Sequence, residues 1–167
     1  MSKILITGGA GFIASHLAEY FIKNGHIVHI IDNLLTGSLD NIPKNNNCYF
    51  HNADINNYKE ISDIILKINF DFVYHYAAVV GVNRTLLNPD LVLKDLDGLK
   101  NIFELSVKTK IKKIFFSSSS EVYGEPVVMP QNETTTPLNS RLPYAVIKNI
   151  GECFCKTYYQ KYNLQYN

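Results

Sequence analysis

The chain has 167 residues, of which 46% are hydrophobic and 19% are charged, a composition typical of a globular domain and not of a disordered or coiled-coil chain. Its 16 basic and 15 acidic side chains leave a net charge of +1, which argues against a nucleic-acid partner. No apolar stretch reaches the roughly 20 residues of a membrane helix, and no signal-like segment follows Met1. We therefore expect a cytoplasmic domain without a membrane partner. The three cysteines have no metal-binding spacing, so no metal site is expected.

Short apolar segments rich in β-branched residues alternate with helical patterns along the chain. The predicted strands are 4–7, 27–31, 48–51, 72–76 and 114–117, and the predicted helices are 12–24, 58–68, 90–107 and 143–162. Strands that are apolar on both faces belong in a buried parallel sheet, and their alternation with helices produces right-handed crossovers. We predict an α/β fold, a doubly wound parallel sheet with helices on both faces. The irregular stretch 124–142 is long enough to predict a functional loop.

A glycine-rich turn, Thr7-Gly8-Gly9-Ala10-Gly11-Phe12-Ile13-Ala14, joins the first strand to the first helix. Gly9, Gly11 and Ala14 fit the Gly-x-Gly-x-x-Gly/Ala pattern of dinucleotide-binding turns. That pattern provides a tight turn, a close approach of backbone to pyrophosphate, and a small residue where helix meets strand. The N–H groups that open the helix then face the phosphates. A plain glycine turn is the alternative interpretation.

Asp32 stands at the end of the second strand, 18 residues after Ala14. A carboxylate at this place accepts hydrogen bonds from both ribose hydroxyls of NAD and repels the 2′-phosphate of NADP. No arginine or lysine lies within 33–39 to neutralise that phosphate. With the glycine turn, Asp32 predicts a Rossmann-type sheet that prefers NAD; alone, it could be a solvated acid at a strand end.

Polar residues that suit chemistry follow the fifth strand and open the fourth predicted helix. Tyr144 and Lys148 are four residues apart, so they share one helical face. A tyrosine with a pKa near ~10 needs a neighbouring cation before it can act as a base at neutral pH. Upstream, a run of four serines, 117–120, precedes Glu121 at the carboxyl end of a strand, where ligands bind in open α/β sheets. An ordinary amphipathic helix and a polar turn are the alternatives.

Taken together, these motifs resemble those of the extended short-chain dehydrogenase/reductases, in the NAD-dependent sugar-nucleotide epimerase/dehydratase family. The matching segments are the glycine turn through Ser15, Asp32-Asn33-Leu34, Asp54-Ile55, His75-Tyr76-Ala77-Ala78, the serine run through Gly124, and Tyr144 with Lys148. The resemblance covers almost the whole chain. Each motif alone is weak, but their combination in this order is specific.

The resemblance implies roles for individual residues. Tyr144 becomes the catalytic acid/base, Lys148 binds the ribose and lowers the pKa of Tyr144, and Ser119 hydrogen-bonds the sugar hydroxyl that is oxidised. Glu121 either assists the chemistry, as in UDP-glucuronate decarboxylases, or is a structural acid. The implied cofactor-binding residues are Gly8, Gly11, Phe12, Ile13, Asp32, Asn33, Asp54, Ile55, Ala77, Ala78, Tyr144 and Lys148.

In this family the opening step is oxidation of a nucleotide-linked sugar at C4 with NAD as cofactor. Epimerases then reduce the other face of the 4-keto sugar, dehydratases lose water, and decarboxylases lose CO₂. Three positions depart from the family pattern: Ala14 replaces a glycine, Asp95 stands where an asparagine is frequent, and Ser120 replaces the acid that dehydratases place after the catalytic hydroxyl residue. The last departure argues against 4,6-dehydration. A non-catalytic NAD-binding module is the alternative from another class.

Members of this family are longer and carry most of their substrate-binding region in the second half. The resemblance therefore implies that 1–167 is an NAD(P)-binding domain truncated where a sixth strand starts, with the C-terminal substrate region missing. We expect slow turnover, if any, from this chain alone. The resemblance also implies a homodimer in which the helices predicted at 90–107 and 143–162 of two copies form a four-helix bundle.

Overall fold

The computed structural model describes residues 1–167 and contains one six-stranded parallel sheet. Its strands are β1 (Lys3–Thr7), β2 (Ile27–Asp32), β3 (Cys48–Asn52), β4 (Phe72–His75), β5 (Lys113–Phe116) and β6 (Gln165–Tyr166). Its helices are α1 (Phe12–Lys23), α2 (Tyr58–Ile68), α3 (Val82–Leu87), α4 (Pro89–Lys108) and α5 (Pro143–Tyr162). None of these helices has both the length and the apolarity needed to span a bilayer.

The strands lie in the order β3-β2-β1-β4-β5-β6, which confirms the predicted doubly wound Rossmann-type topology. From β1 the chain first builds outward to β3 and then returns to add β4 on the other side. Adjacent crossovers therefore diverge between β1 and β4, and a crevice opens at their carboxyl ends, where ligands of open α/β sheets bind.

Side chains alternate between two apolar layers, as period-two strands require. On one face Leu5, Val73 and Ile114 belong to a core of 19 buried residues that includes side chains of α2, α4 and α5. On the other face Ile4 and Ile6 pack beneath α1 in a core of seven buried residues. Because helices cover both faces, the predicted layering is confirmed.

The ends of the predicted strands and helices lie within one residue of the observed ends. The sequence analysis missed α3 because three of its six residues, Val82, Leu86 and Leu87, are exposed apolar side chains without an amphipathic pattern. It also missed a 3₁₀ turn at Ser120–Tyr123. The stretch 124–142 contains no helix or strand, as predicted, and β6 forms where a sixth strand was expected to start.

Candidate functional site

A cleft of about 520 Å³ opens at the carboxyl ends of β1, β2, β3 and β4. It gathers every predicted cofactor-binding residue that lies outside α5. These are Gly8, Gly11, Phe12, Ile13, Asp32, Asn33, Asp54, Ile55, Ala77 and Ala78. The topology thus brings together residues from four separate parts of the chain.

The glycine turn forms the base of this cleft. Gly8 has a φ of +69°, and a Cβ added there would lie 2.7 Å from the amide nitrogen of Ala77. Gly11 precedes α1 as its N-cap, and no side chain caps this helix end or places an acid in its first turn. The first N–H groups of α1 therefore remain available to an anion.

The structure corrects the spacing inferred for this turn. Gly9 was expected to supply the tight turn, but it does not line the cleft, and a Cβ there would lie 2.5 Å from Cγ2 of Ile30. Its small size serves the packing of the turn on the sheet. The turn glycine is Gly8, so the pattern is Gly8-x-x-Gly11-x-x-Ala14, with Ala14 also lining the cleft.

Asp32 is buried at the end of β2 and holds two backbone segments. One carboxyl oxygen accepts the N–H of Ala10 at 3.0 Å, and the other accepts the N–H of Leu34 at 2.8 Å. The sequence analysis predicted a ribose contact but missed this internal role. Because the same carboxylate lines the cleft, it orders the glycine turn as well as presenting a negative charge there.

The end of the cleft beyond β3 is built by 54–56. The carboxylate of Asp54 accepts the N–H of Asn56 at 2.9 Å, and the carbonyl of Ile55 accepts the side-chain amide of Asn101 in α4 at 2.9 Å. Lys94, also from α4, lines the same cleft. Sequence reasoning did not single out Asn56 or Lys94, since neither belongs to a short motif.

The loop after β4 is held by a buried polar network. Nδ1 of His75 lies 2.7 Å from Oγ1 of Thr7, which also accepts the N–H of Ala77 at 3.3 Å. Burial lowers the pKa of His75 to about 3, so this ring is neutral at physiological pH. Two residues further on, the N–H of Val79 donates to the carboxylate of Asp95 at 2.7 Å.

Tyr144 and Lys148 lie together at the start of α5, as their spacing predicted. The Nζ of Lys148 is 5.6 Å from the centre of the Tyr144 ring and donates to the carbonyl oxygen of Ser117, just after β5, at 2.7 Å. Lys148 is only 4% exposed, and this burial lowers its pKa to about 8.

The other two predicted catalytic residues lie at the 3₁₀ turn Ser120–Tyr123, where Ser119 is the N-cap and Glu121 is part of the turn. Ser119 caps this turn, with its Oγ accepting the N–H of Glu121 at 3.2 Å. The Glu121 side chain is exposed. None of Ser119, Glu121, Tyr144 and Lys148 lines the cleft of about 520 Å³ itself. The structure joins Tyr144 to Lys148 and leaves the serine hydroxyl engaged with its own turn.

The arrangement fits a dinucleotide in its main elements. Gly8 has no side chain and suits the tight turn, and the uncapped start of α1 suits a pyrophosphate. The carboxylate at the end of β2 suits a ribose. The fold and the site therefore define a Rossmann-type dinucleotide-binding domain.

Comparison with known proteins gives the family. Residues 5–167 match the family model described as GDP-mannose 4,6 dehydratase, and the chain belongs to this nucleotide-sugar epimerase/dehydratase family. The chain is 41% identical, over 98% of its length, to a Methanocaldococcus jannaschii protein assigned provisionally as a UDP-glucose 4-epimerase. It is 36% identical, over 93% of its length, to a Bacillus cytotoxicus UDP-N-acetyl-alpha-D-glucosaminuronate decarboxylase.

The fold also matches solved structures of this kind. The Thermus thermophilus UDP-glucose 4-epimerase, solved in complex with NAD, superposes with a TM-score of 0.91 at 31% identity. That match covers 98% of this chain and 53% of the epimerase chain. The two curated relatives are covered over 53% and 50% of their lengths, so the chain spans about half the length of the relatives it matches.

Proposed function

We propose that this chain binds NAD in the cleft at the carboxyl ends of β1 to β4. The glycine turn and the start of α1 receive the pyrophosphate, Asp32 the adenosine ribose, and Asp54 with Ile55 the adenine. The cleft geometry and the NAD complex of the Thermus thermophilus relative support this proposal. No lysine or arginine lies within 33–39 to offset the repulsion between Asp32 and a 2′-phosphate, and Lys94 of α4 is the basic residue in the cleft lining.

The proposed reaction is the NAD-dependent oxidation at C4 of a nucleotide-linked hexose, with epimerisation as the outcome. Relatives of the chain named as UDP-glucose 4-epimerases support the epimerisation part of this proposal. Tyr144 takes the proton of the C4 hydroxyl as the carbon is oxidised and returns a proton when the keto sugar is reduced. Bound NAD supplies the acceptor for the hydride that leaves C4.

The buried ammonium of Lys148, 5.6 Å from the centre of the Tyr144 ring, is the single observation that carries this proposal. Lowering a tyrosine pKa from about 10 to about 7 requires roughly 4 kcal/mol of anion stabilisation. The Lys148 ammonium, which donates to the Ser117 carbonyl, is the positive charge that the chain places beside this phenol. Ser119 would then hydrogen-bond the reacting hydroxyl through its own O–H, which stays free to donate while Oγ accepts the N–H of Glu121.

A UDP-glucuronate decarboxylase-like reaction is the second candidate. It is favoured by the decarboxylase from Bacillus cytotoxicus among the relatives and by the exposed carboxylate of Glu121 beside Ser119. In this variant the same C4 oxidation makes the adjacent carboxyl group of a uronic acid ready to leave as CO₂. Glu121 would assist in place of the acid that dehydratases carry at the position of Ser120.

The test incubates the full-length protein, with 1–167 as its NAD-binding domain, with stoichiometric NAD and, separately, UDP-glucose, UDP-galactose and UDP-glucuronate. We expect NAD binding by calorimetry, sugar-dependent near-ultraviolet absorbance of reduced cofactor, and interconversion of the first two sugars. Release of CO₂ from UDP-glucuronate identifies the decarboxylase instead. NAD binding without cofactor reduction by any sugar supports a non-catalytic module, and absence of NAD binding refutes the proposal.

We further propose that 1–167 acts as an NAD-binding domain whose substrate region is supplied by further chain, and that two copies pair through α4 and α5. These helices already pack together through Phe103, Phe154 and Tyr158. Leu93 and Leu96 remain exposed on α4. Sedimentation should show a dimer that Leu93→Glu weakens and that Lys67→Glu, at an exposed lysine of α2, does not. The cytoplasmic location stays a prediction.

A further inference from the structure

The run of serines after β5 is held by α5 at two successive residues. The Nζ of Lys148 donates to the carbonyl oxygen of Ser117 at 2.7 Å and lies 3.3 Å from the Ser117 Oγ. The hydroxyl of Ser118 donates to Oε1 of Glu152. Lys148 and Glu152 are four residues apart, so they lie on one face of α5, one turn from each other. Two successive turns of the helix thus bind two successive residues of the chain after β5.

A close contact between α5 and the last residue of β5 fixes the distance between these two segments. Gly151 is buried, and a Cβ added there would lie 2.2 Å from Cζ of Phe116. The centre of the same ring lies 5.1 Å from Nζ of Lys148. Because the aromatic ring fills the space beside Gly151, the side chains on either side of that glycine reach the serines from a fixed distance.

The proposed catalytic groups belong to these two segments. Tyr144 lies in the first turn of α5, whereas Ser119 follows Ser118 and caps the 3₁₀ turn Ser120–Tyr123. The Oγ of Ser119 accepts the N–H of Glu121 within that turn. No hydrogen bond joins the Ser119 side chain to α5, so the contact of Ser118 with the helix is the nearest hydrogen-bonded link between the Ser119 hydroxyl and the helix that carries Tyr144.

Resting on the function proposed above, we propose that Glu152 is a positioning residue, which holds Ser118 and thereby sets the place of the Ser119 hydroxyl relative to Tyr144. Glu152 does not line the cofactor cleft, and no step of the proposed proton transfer passes through it. A carboxylate can only accept hydrogen bonds, so the Ser118 hydroxyl must donate and its direction is fixed. Lys148 therefore serves the phenol, while Glu152 serves the segment from which Ser119 extends.

Variants of the full-length protein separate this hydrogen bond from the charge of Glu152. With bound NAD and saturating UDP-glucose, UDP-galactose or UDP-glucuronate, we expect NAD reduction to slow by about 10-fold in both Glu152→Ala and Ser118→Ala. The double variant that combines these two substitutions should be no slower than either one, because both remove the same contact. Glu152→Gln should keep most of the rate, since its amide oxygen still accepts the Ser118 hydroxyl.

The matched control is Glu19→Ala, which removes an exposed glutamate from α1 on the opposite face of the sheet and should leave the rate unchanged. In all variants the NAD affinity, measured by calorimetry, should stay within about twofold of that of the unmodified protein. This is expected because neither Ser118 nor Glu152 lines the cofactor cleft. A loss of rate without a loss of NAD affinity distinguishes positioning of the serine from general damage to the domain.

A second measurement needs neither cofactor nor sugar. The N–H of Glu121 donates to Ser119, so its hydrogen-exchange rate, followed by NMR in the full-length protein, reports the order of the turn. Exchange should be faster in Glu152→Ala and Ser118→Ala and unchanged in Glu152→Gln and Glu19→Ala. If Glu152→Ala does not fold, Ser118→Ala and Glu152→Gln provide the same comparison.

Unchanged exchange in Glu152→Ala and Ser118→Ala overturns the proposal. Losses of rate that multiply in the double variant, or an equal loss in Glu152→Gln and Glu152→Ala, do the same. If no sugar reduces NAD in the unmodified protein, the proposed function fails, while the exchange of the Glu121 N–H still decides the role of Glu152.

Discussion

Gly8 lies against the backbone of Ala77, so close that a Cβ on Gly8 would be 2.7 Å from the Ala77 amide nitrogen and 2.8 Å from its Cα. This contact ties the turn after β1 to the loop after β4, across the point where the strand order reverses. Both residues line the cleft. The approach of these two segments therefore sets the width of the cleft base.

Gly8→Ala should destabilise the domain by about 3 kcal/mol, because it adds a left-handed backbone penalty to a clash with backbone that cannot move aside. Urea unfolding measures the loss, and calorimetry should show weakened NAD binding. Gly25→Ala is the matched control. Gly25 also has a positive φ, +79°, but nothing lies within 4 Å of its Cβ position. It should cost only about 1 kcal/mol, and equal losses would contradict the contact argument.

Asp32→Ala should lower NAD affinity about 10- to 100-fold and narrow the preference for NAD over NADP. The variant removes the ribose acceptor and the charge that repels a 2′-phosphate, and it frees the N–H groups of Ala10 and Leu34. Calorimetry with both nucleotides provides the measurement. Asp40→Ala, at an exposed acid in the 3₁₀ turn Leu39–Asn41, should change neither the NAD affinity nor the nucleotide preference. An unaltered nucleotide preference in Asp32→Ala would rule out the assigned role.

In the full-length protein, Tyr144→Phe should reduce sugar-dependent reduction of NAD by at least about 100-fold while leaving NAD affinity within a factor of about three. The substitution deletes the phenol oxygen and keeps the ring beside Lys148. Tyr159→Phe, at a more exposed tyrosine of the same helix, serves as the control. Retention of cofactor reduction in the Tyr144 variant would remove the phenol from the mechanism.

The free energy of unfolding should fall on acidification, and the pair of buried His29 and half-buried His51 contributes to this fall beside the buried His75. Nδ1 of His29 lies 2.9 Å from Nε2 of His51, and burial with the neighbouring His51 lowers the pKa of His29 from 6.5 to about 4. Between these two pH values the unfolded chain binds more protons at His29 than the folded chain does. The contribution of neutral His29 to the free energy of unfolding is therefore fully present above about pH 6.5 and is lost as the pH falls toward 4.

Urea unfolding at pH 7 and pH 4.5 measures this effect. Between these two pH values, the free energy of unfolding of His29→Gln should fall by on the order of 2 kcal/mol less than that of the unmodified chain, because glutamine does not titrate. The exposed His16→Gln should follow the unmodified chain. If both variants lose as much stability as the unmodified chain, the acid sensitivity has another origin.

The sequence by itself determined the alternation of elements, the sheet type and most members of the cofactor cleft. These follow from local rules: two-faced apolar runs specify buried parallel strands, and the spacing of Tyr144 and Lys148 places both on one helical face. The glycine turn was likewise recognisable from its composition. Motif order along the chain then sufficed to identify the family, which the comparisons confirm.

Only the tertiary structure decided which glycine makes the turn and which backbone N–H groups Asp32 and Asp95 accept. Gly8 rather than Gly9 faces Ala77 because segments 69 residues apart meet at the edge of the sheet. In the same way, Asp95 of α4 reaches Val79 after β4, and Lys148 of α5 reaches Ser117 after β5, through the packing of these helices on the sheet. Local propensities specify which way a side chain points on its own element. What it meets there depends on how distant elements pack, and the burial and pKa of Lys148 depend on that packing.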